Sequence, residues 1–385
     1  REWTDGQRSD PQKAGPIRSC VMLQTQIQIM SRQGERRGHL LRLACVIVAG
    51  LCAIGAANAE ASRDPWLWPF ASDSIWNVPI SSGARYENPD LPTSAHIGSD
   101  IEWLVKKNAN DPVCRVYSPS SWERRWPGAK TLGELRVPEA LIIPDAAPPH
   151  TPNACAAFLM PDGRTVRQIE PACRPEQGPR IVGYLHPEDQ DLFGPGIKGT
   201  HYGSGLSVLG GSIRLGELLS PDPLRHSLKL NVWGKYLYYS DDHPGFRWPA
   251  DRCDSYAPKS YLGKNPALVM GSLLALPPDL TPEDLEIESE TGRKIFQALQ
   301  DYGAYVTDDS GWDSYDLCVE RGVPEEVQSS LGYALNGRSG KFIDEMKRII
   351  RALKIVSNNR SASIGGGGTP RRPPAPELSL EPVLP

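Results

Sequence analysis

The chain of 385 residues carries 42 Lys and Arg against 46 Asp and Glu, a net charge of −4, with a pI near 6.0. A nucleic-acid-binding domain would leave a basic footprint with a pI above about 9, so the balance excludes DNA and RNA as partners. The 36 Gly and 37 Pro with a hydrophobic share of only 39% point to many turns and short strands, hence a mainly β fold, a β-sandwich or jelly-roll with a few peripheral α-helices.

Residues 1–29 are polar and begin without Met, and read as upstream sequence that is not translated. Residues 30–59 read as a signal peptide. Arg32, Arg36, Arg37 and Arg42 form the charged start, Leu43 to Ala57 the apolar run, and Ala57-Asn58-Ala59 the cleavage pattern. About 15 apolar residues fall short of the ~20 that span a bilayer. The expectation is a secreted or periplasmic protein with no membrane association after cleavage, made of one β-rich domain (60–356) and a flexible Gly/Pro-rich tail (357–385).

From Asp64 to Pro149 the chain carries six tryptophans, Trp66, Trp68, Trp76, Trp103, Trp122 and Trp126. Tryptophan at this density either covers a core or lines a groove where sugar rings stack, and core is the commoner use. A helix is expected over 101–108. Five cysteines follow the cleavage site: Cys114, Cys155, Cys173, Cys253 and Cys318. An oxidising compartment favours bridging them. Cys155 and Cys173 flank a strand, the turn Pro161-Asp162-Gly163 and a second strand, which reads as a β-hairpin closed by a Cys155–Cys173 disulfide. One thiol is then left over. Further strands are expected at 207–209, at 227–232 with one buried face, at 235–239 and at 304–306. Amphipathic helices are expected over 290–302, ending at Gly303, and over 340–353.

Chemistry concentrates at Gly199–Leu218, where small residues let backbone and ligand approach closely. His201 and Tyr202 open this segment, and Arg214 and Glu217 close it three residues apart, either as a functional pair or as an ion pair with each other. His226 precedes a strand, as a general acid or base or as a hydrogen-bonded structural histidine. Asp308 and Asp309 sit at a strand end, where extended chain sends only one of them into a given site. Glu286, Glu288 and Glu290 mimic a carboxylate row but precede a helix, where acids favour the dipole. Asp241-Asp242-His243 reads as a solvated turn. Gly203-Ser204-Gly205 lacks the spacing of a nucleophile elbow. No nucleotide loop, zinc-protease motif, calcium loop or C-x-x-C occurs, so neither a cofactor nor a metal is expected.

Asp73-Ser74-Ile75-Trp76-Asn77, the run Ser204–Glu217, His226-Ser227-Leu228-Lys229, Trp248-Pro249-Ala250 and Tyr302–Asp308 resemble a family of secreted microbial proteins of unassigned activity. The resemblance covers most of the mature chain, extends to Ser363–Arg371, and implies a shared scaffold with a site built from these segments. Arg214–Leu218 and Lys235–Tyr239 also resemble jelly-roll alginate lyases, although the Gln-x-His element of those enzymes is missing.

The expected function is that of a polysaccharide-active enzyme, a glycoside hydrolase using Glu217 and Asp308 as its carboxylate pair with His226 and His201 beside them. Tyr202, Arg214, Trp248, Tyr302 and Trp76 would bind the polysaccharide or oligosaccharide. Two alternatives accompany it: a polysaccharide lyase with a His or Tyr base and Arg214 on the substrate carboxylate, and a carbohydrate-binding or cell-surface protein without turnover.

Overall fold

A computed structural model describes residues 63–146 and 153–378. The segments read as upstream sequence and as a signal peptide lie outside the described residues. Among those described, no helix is long and apolar enough to cross a membrane.

The described chain is mainly β. Its strands are β1 (Tyr86–Glu87), β2 (His96–Lys106), β3 (Val113–Tyr117), β4 (Thr131–Arg136), β5 (Cys155–Leu159), β6 (Thr165–Cys173) and β7 (Arg180–Leu185). They continue with β8 (Gln190–Asp191), β9 (Leu228–Val232), β10 (Leu273–Ala275), β11 (Ala304–Val306), β12 (Ser314–Glu320) and β13 (Lys354–Val356). All thirteen join one mixed sheet in the order β1-β13-β10-β11-β9-β12-β2-β5-β6-β7-β3-β4, with β8 beside β6. Four helices are described: α1 (Ala257–Ser260), α2 (Glu290–Asp301), α3 (Val323–Leu331) and α4 (Lys341–Ala352). The described residues form one compact unit.

The expected helix over 101–108 is instead most of β2. Ile97, Ile101, Trp103 and Val105 suit a pleated surface, and parallel neighbours on both sides, β12 and β5, take up the backbone hydrogen bonds. The expected strand at 207–209 is turn, and 235–239 begins as a 3-10 turn over Gly234–Tyr236. The strand at 227–232 appears as β9, but all five of its residues are buried rather than alternating. Its central place explains this. β11 pairs it in parallel and β12 antiparallel, Leu228, Leu230 and Val232 enter the main core, and Lys229 and Asn231 point to the opposite face, which is also covered.

The helices at 290–302 and 340–353 form as α2 and α4. Ile295, Phe296 and Leu299 of α2 and Phe342, Ile343, Met346, Ile349 and Ile350 of α4 fill the same core. Ser289 caps α2, its hydroxyl accepting the Gly292 N–H at 3.0 Å, so the acids around 286–290 do stand at a helix start. Asp241 and Asp242 are exposed on a turn closed by Ser240 and His243.

The β5–β6 hairpin forms, but the Cys155–Cys173 disulfide does not: all five described cysteines are free. The register that pairs Ala156 with Ile169 sets Cys155 beside Glu170 when continued by one residue, three residues short of Cys173. The two sulfurs therefore never face each other. Past Ser357 the chain also departs from a flexible tail. Ser81 N–H donates to Gly365 O, Gly83 N–H to Gly367 O and Arg371 N–H to Ile80 O, at 2.8 to 3.0 Å, while Arg372 pairs with Asp301.

Candidate functional site

Strand register builds a polar row across the middle of the sheet. Glu320 of β12 pairs with Glu102 of β2, Glu102 with Cys155 of β5, and Cys155 lies beside Glu170 of β6. Over this row the segment Gly199–Leu218 brings down His201. Its Nε2 lies 2.8 Å from Glu102 Oε1, and its Nδ1 lies 3.4 Å from Asp308 Oδ2 and 3.7 Å from Cys155 Sγ. Lys229 reaches the same centre from β9, its Nζ on Glu102 Oε1 and 2.6 Å from the Val208 carbonyl. Ser212 donates its hydroxyl to the other Glu102 oxygen.

These groups are all buried, and burial sets their proton affinities. Desolvation and the Lys229 charge press the His201 imidazole down, but the hydrogen bonds to Asp308 and Glu102 outweigh them and carry it up to about 10. Burial opposes the Glu102 charge, yet Lys229 and His201 hold its carboxyl below the usual range. Burial and then the Asp308 charge push Glu170 well up. Glu170 Oε2 accepts the Tyr202 N–H at 3.1 Å, whereas Oε1 is buried without a hydrogen-bond partner. Two donor sets stand close enough to hold an ion: Glu102, His201 and Cys318, and Cys155, Glu170 and His201.

Asp308 and Asp309 turn to opposite sides, as extended chain dictates. Asp308 faces His201. Asp309 faces a cleft of about 560 Å³ lined by Trp233, Lys235, Tyr256 and Lys259, and its Oδ1 accepts the N–H groups of Gly234 and Gly311, both at 2.7 Å. Tyr256 donates its hydroxyl to Asp309 Oδ2 at 3.3 Å. Asp254 stands two residues before Tyr256 and accepts the Tyr261 hydroxyl at 2.6 Å. Burial and then the Asp308 charge push Asp254 up to about 7. Asp309 is raised by burial against the pull of its two N–H donors. The Tyr256 and Tyr261 phenols are driven up by burial and by Asp254, so both remain proton donors.

The residues singled out in the sequence therefore separate. His201 and Asp308 meet. Glu217 and His226 meet elsewhere, with His226 Nε2 3.3 Å from Glu217 Oε2 and the Arg214 N–H on the same oxygen at 2.7 Å. They border a cavity of about 190 Å³ with Trp68 and Asp222. Glu217 thus borders that cavity while Asp308 faces His201, and among the described residues no hydrogen bond or ion pair joins the two groups. The Arg214 guanidinium is buried against Glu320 at 2.9 Å and the Trp66 carbonyl, not against the Glu217 carboxylate.

Of the expected sugar-binding side chains, Tyr202 alone stands exposed, with Trp122 and Tyr184 around it at centroid distances of 5.2 and 6.0 Å. Trp76 is core, donating its indole N–H to Gly196 O at 2.7 Å and set edge-on to Tyr305. Tyr302 is buried, and half-buried Trp248 packs against the core under β10 and β11. Trp66 and Trp103 are core as well. Ser204 is buried, its hydroxyl accepting the Leu206 N–H, which removes it as a nucleophile.

Glu102, Glu170, Lys229, Asp254 and Tyr256 were not singled out in the sequence. The usable signal was in Lys229 and Glu102, charged residues inside apolar runs of strand length, which in a buried strand must be paired. Compared with protein-family models, with curated proteins and with solved structures, the chain matches none.

Proposed function

We propose that this chain is a secreted enzyme that hydrolyses a polysaccharide, with Asp309, which lines the cleft beside Tyr256, and Asp254, two residues before Tyr256, as its carboxylates. The observation that carries the reading is that these two carboxyl groups on either side of Tyr256 stand in unlike environments, Asp309 at the open, aromatic-lined cleft and Asp254 against the Tyr261 hydroxyl. Asp254 is tucked against a phenol, and Asp309 is held by two backbone N–H donors. A glycosidase needs that division of labour, one carboxylic acid to protonate the leaving oxygen and one carboxylate to act as base or nucleophile. Trp233 and Tyr256 offer faces for sugar rings, and Lys235 and Lys259 suit a substrate with hydroxyl or acidic groups. Export of the chain, read from residues 30–59, would bring it to such a substrate. The segments carrying the resemblance to secreted microbial proteins, Ser204–Glu217 and Tyr302–Asp308, are those that flank Asp309 and cover the polar row. A sandwich-like scaffold is part of the same proposal, since sheets beyond about ten strands curl or split into packed layers.

Elimination is less well supported. The tyrosines at the cleft keep their protons, His201 is enclosed between carboxylates, and Arg214 is committed to Glu320. Binding without turnover draws on one specific feature, the exposed Tyr202–Trp122–Tyr184 cluster. The deciding experiment screens neutral and uronate-containing polysaccharides for new reducing ends and for absorbance of unsaturated products. Hydrolysis predicts reducing ends without that absorbance, and loss of at least about 100-fold in kcat for Asp254→Asn and Asp309→Asn, the scale of a general acid–base contribution. Full turnover in both variants would remove the assignment. Retention on a polysaccharide column with no product would leave the binding reading in its place.

A further inference from the structure

We propose that Cys155, Glu170 and His201 form a site for a zinc ion, with Asp308 beside it. This inference does not depend on the hydrolase reading. Ligands about 2.0 to 2.3 Å from a tetrahedral ion stand about 3.3 to 3.8 Å from one another. His201 Nδ1 is 3.4 Å from Asp308 Oδ2 and 3.7 Å from Cys155 Sγ, and donor atoms of Cys155, Glu170 and His201 all lie within 4.8 Å of each other. The 3.7 Å between His201 Nδ1 and Cys155 Sγ has the length of a tetrahedral edge. Glu170 Oε1 supplies the independent sign, a carboxylate oxygen buried at this point with no hydrogen-bond partner.

The surroundings of the imidazole fit the same geometry. A zinc-bound histidine usually gives its other nitrogen to a carboxylate, which fixes the ring. Here Nε2 lies 2.8 Å from Glu102 Oε1, and Glu102 is in turn fixed by Lys229 and Ser212. The second donor set, Glu102, His201 and Cys318, is ruled out by occupancy, because Lys229 Nζ already sits 3.2 Å from Nε2. A thiolate and an imidazole among the donors select zinc over calcium or magnesium. Three protein donors leave a fourth position at the ion, which would tie β5, β6 and the Gly199–Leu218 segment together beside Asp308 and Asp309.

The test is metal analysis of the full chain after incubation with zinc and dialysis. About one zinc per chain is expected, with a fall in Tm on chelation that zinc reverses. Cobalt in place of zinc should give a thiolate charge-transfer band that Cys155→Ser abolishes. Glu102→Gln, which meets the proposed ligands only at the ring's far nitrogen, should weaken zinc binding by about 10- to 100-fold. Asp254→Asn should keep the metal in full, which separates failure of this site from failure of the hydrolase reading. A folded chain that retains no zinc, or a cobalt spectrum unchanged in Cys155→Ser, overturns the proposal.

Discussion

A methyl group on Gly203 would stand 2.4 Å from Asp308 Oδ1 and 3.1 Å from its Cα, so the backbone on one side would have to give way. Gly203→Ala is expected to cost about 1–3 kcal/mol, the usual scale of overpacking, and to move Asp308 away from His201. Gly216 is the control. It has φ +82 with nothing within 4 Å of an added Cβ, so Gly216→Ala should cost about 1–2 kcal/mol from backbone strain alone and leave the cluster untouched. Denaturant melts of the two variants, read with zinc content, distinguish crowding from strain. At this scale the sequence was only half legible. His201 and Asp308 stood out because small residues and a strand end frame them. Lys229 did not, because a lysine between two leucines ordinarily marks the solvent face of an alternating strand. It is buried here because the sheet is covered on both sides at β9. Replacing it with Met should cost about 3–5 kcal/mol, the scale of leaving a buried partner uncompensated, measurable by urea unfolding.

The elements found in the sequence were those whose local signals agree with their surroundings. Helix α2 has a Ser cap, an acidic first turn and a Gly at its end, and its apolar stripe meets that of α4. Ser289→Ala is expected to lose about 0.5–2 kcal/mol, towards the upper end. The Ser289 hydroxyl also reaches the buried Glu345 carboxylate, which accepts the N–H groups of Glu288 and Ser289 at 2.9 Å. Thermal unfolding of the single variants and of the double variant with Glu345→Gln would reveal coupling between them. β2 was misread because Glu102 and Lys106 break up its apolar pattern, and each has a tertiary partner that no local window contains: Glu102 serves the His201 cluster, and Lys106 stands 3.8 Å from Asp64. The glycine-rich segment gave the opposite error. Its short apolar run reads as strand, but Gly205 and Gly211 take positive φ, and the chain turns so that Lys229 can reach the carbonyls of Ser207 and Val208.

At the scale of the whole molecule, two regions far from the cleft hold the chain together, and each gives a measurement. Residues 358–372 pack on Pro79–Ala84, where Gly365 and Gly366 leave no room for a side chain against Pro79 O and Ala84 Cα. A chain ending at Ser357 should therefore melt earlier and become cleavable near Ile80; an unchanged Tm would mean that this strap adds nothing. Composition alone suggested a loose tail, since it cannot register backbone hydrogen bonds between segments nearly 300 residues apart.

The Glu217–His226 pair, left outside the proposed chemistry, should appear in the pH dependence of stability. Burial lowers the His226 pKa, but the Glu217 charge and the hydrogen bonds to Glu217 and the Ser227 carbonyl outweigh burial and the opposing Arg214 charge, so the net shift is upward. A histidine whose folded pKa lies above its unfolded value of about 6.5 contributes stability in full below that value, and loses it as pH rises through the folded pKa. Asp222 and Arg225 border the same cavity, and the Lys294 ammonium lies on the Glu217 and Ser220 carbonyls. His226→Gln keeps an amide against Glu217 and removes the titration. The stability difference between the parent chain and this variant should therefore be largest near pH 6 and shrink steadily toward pH 9. A difference that stays flat with pH would mean that His226 is neutral in the folded protein throughout.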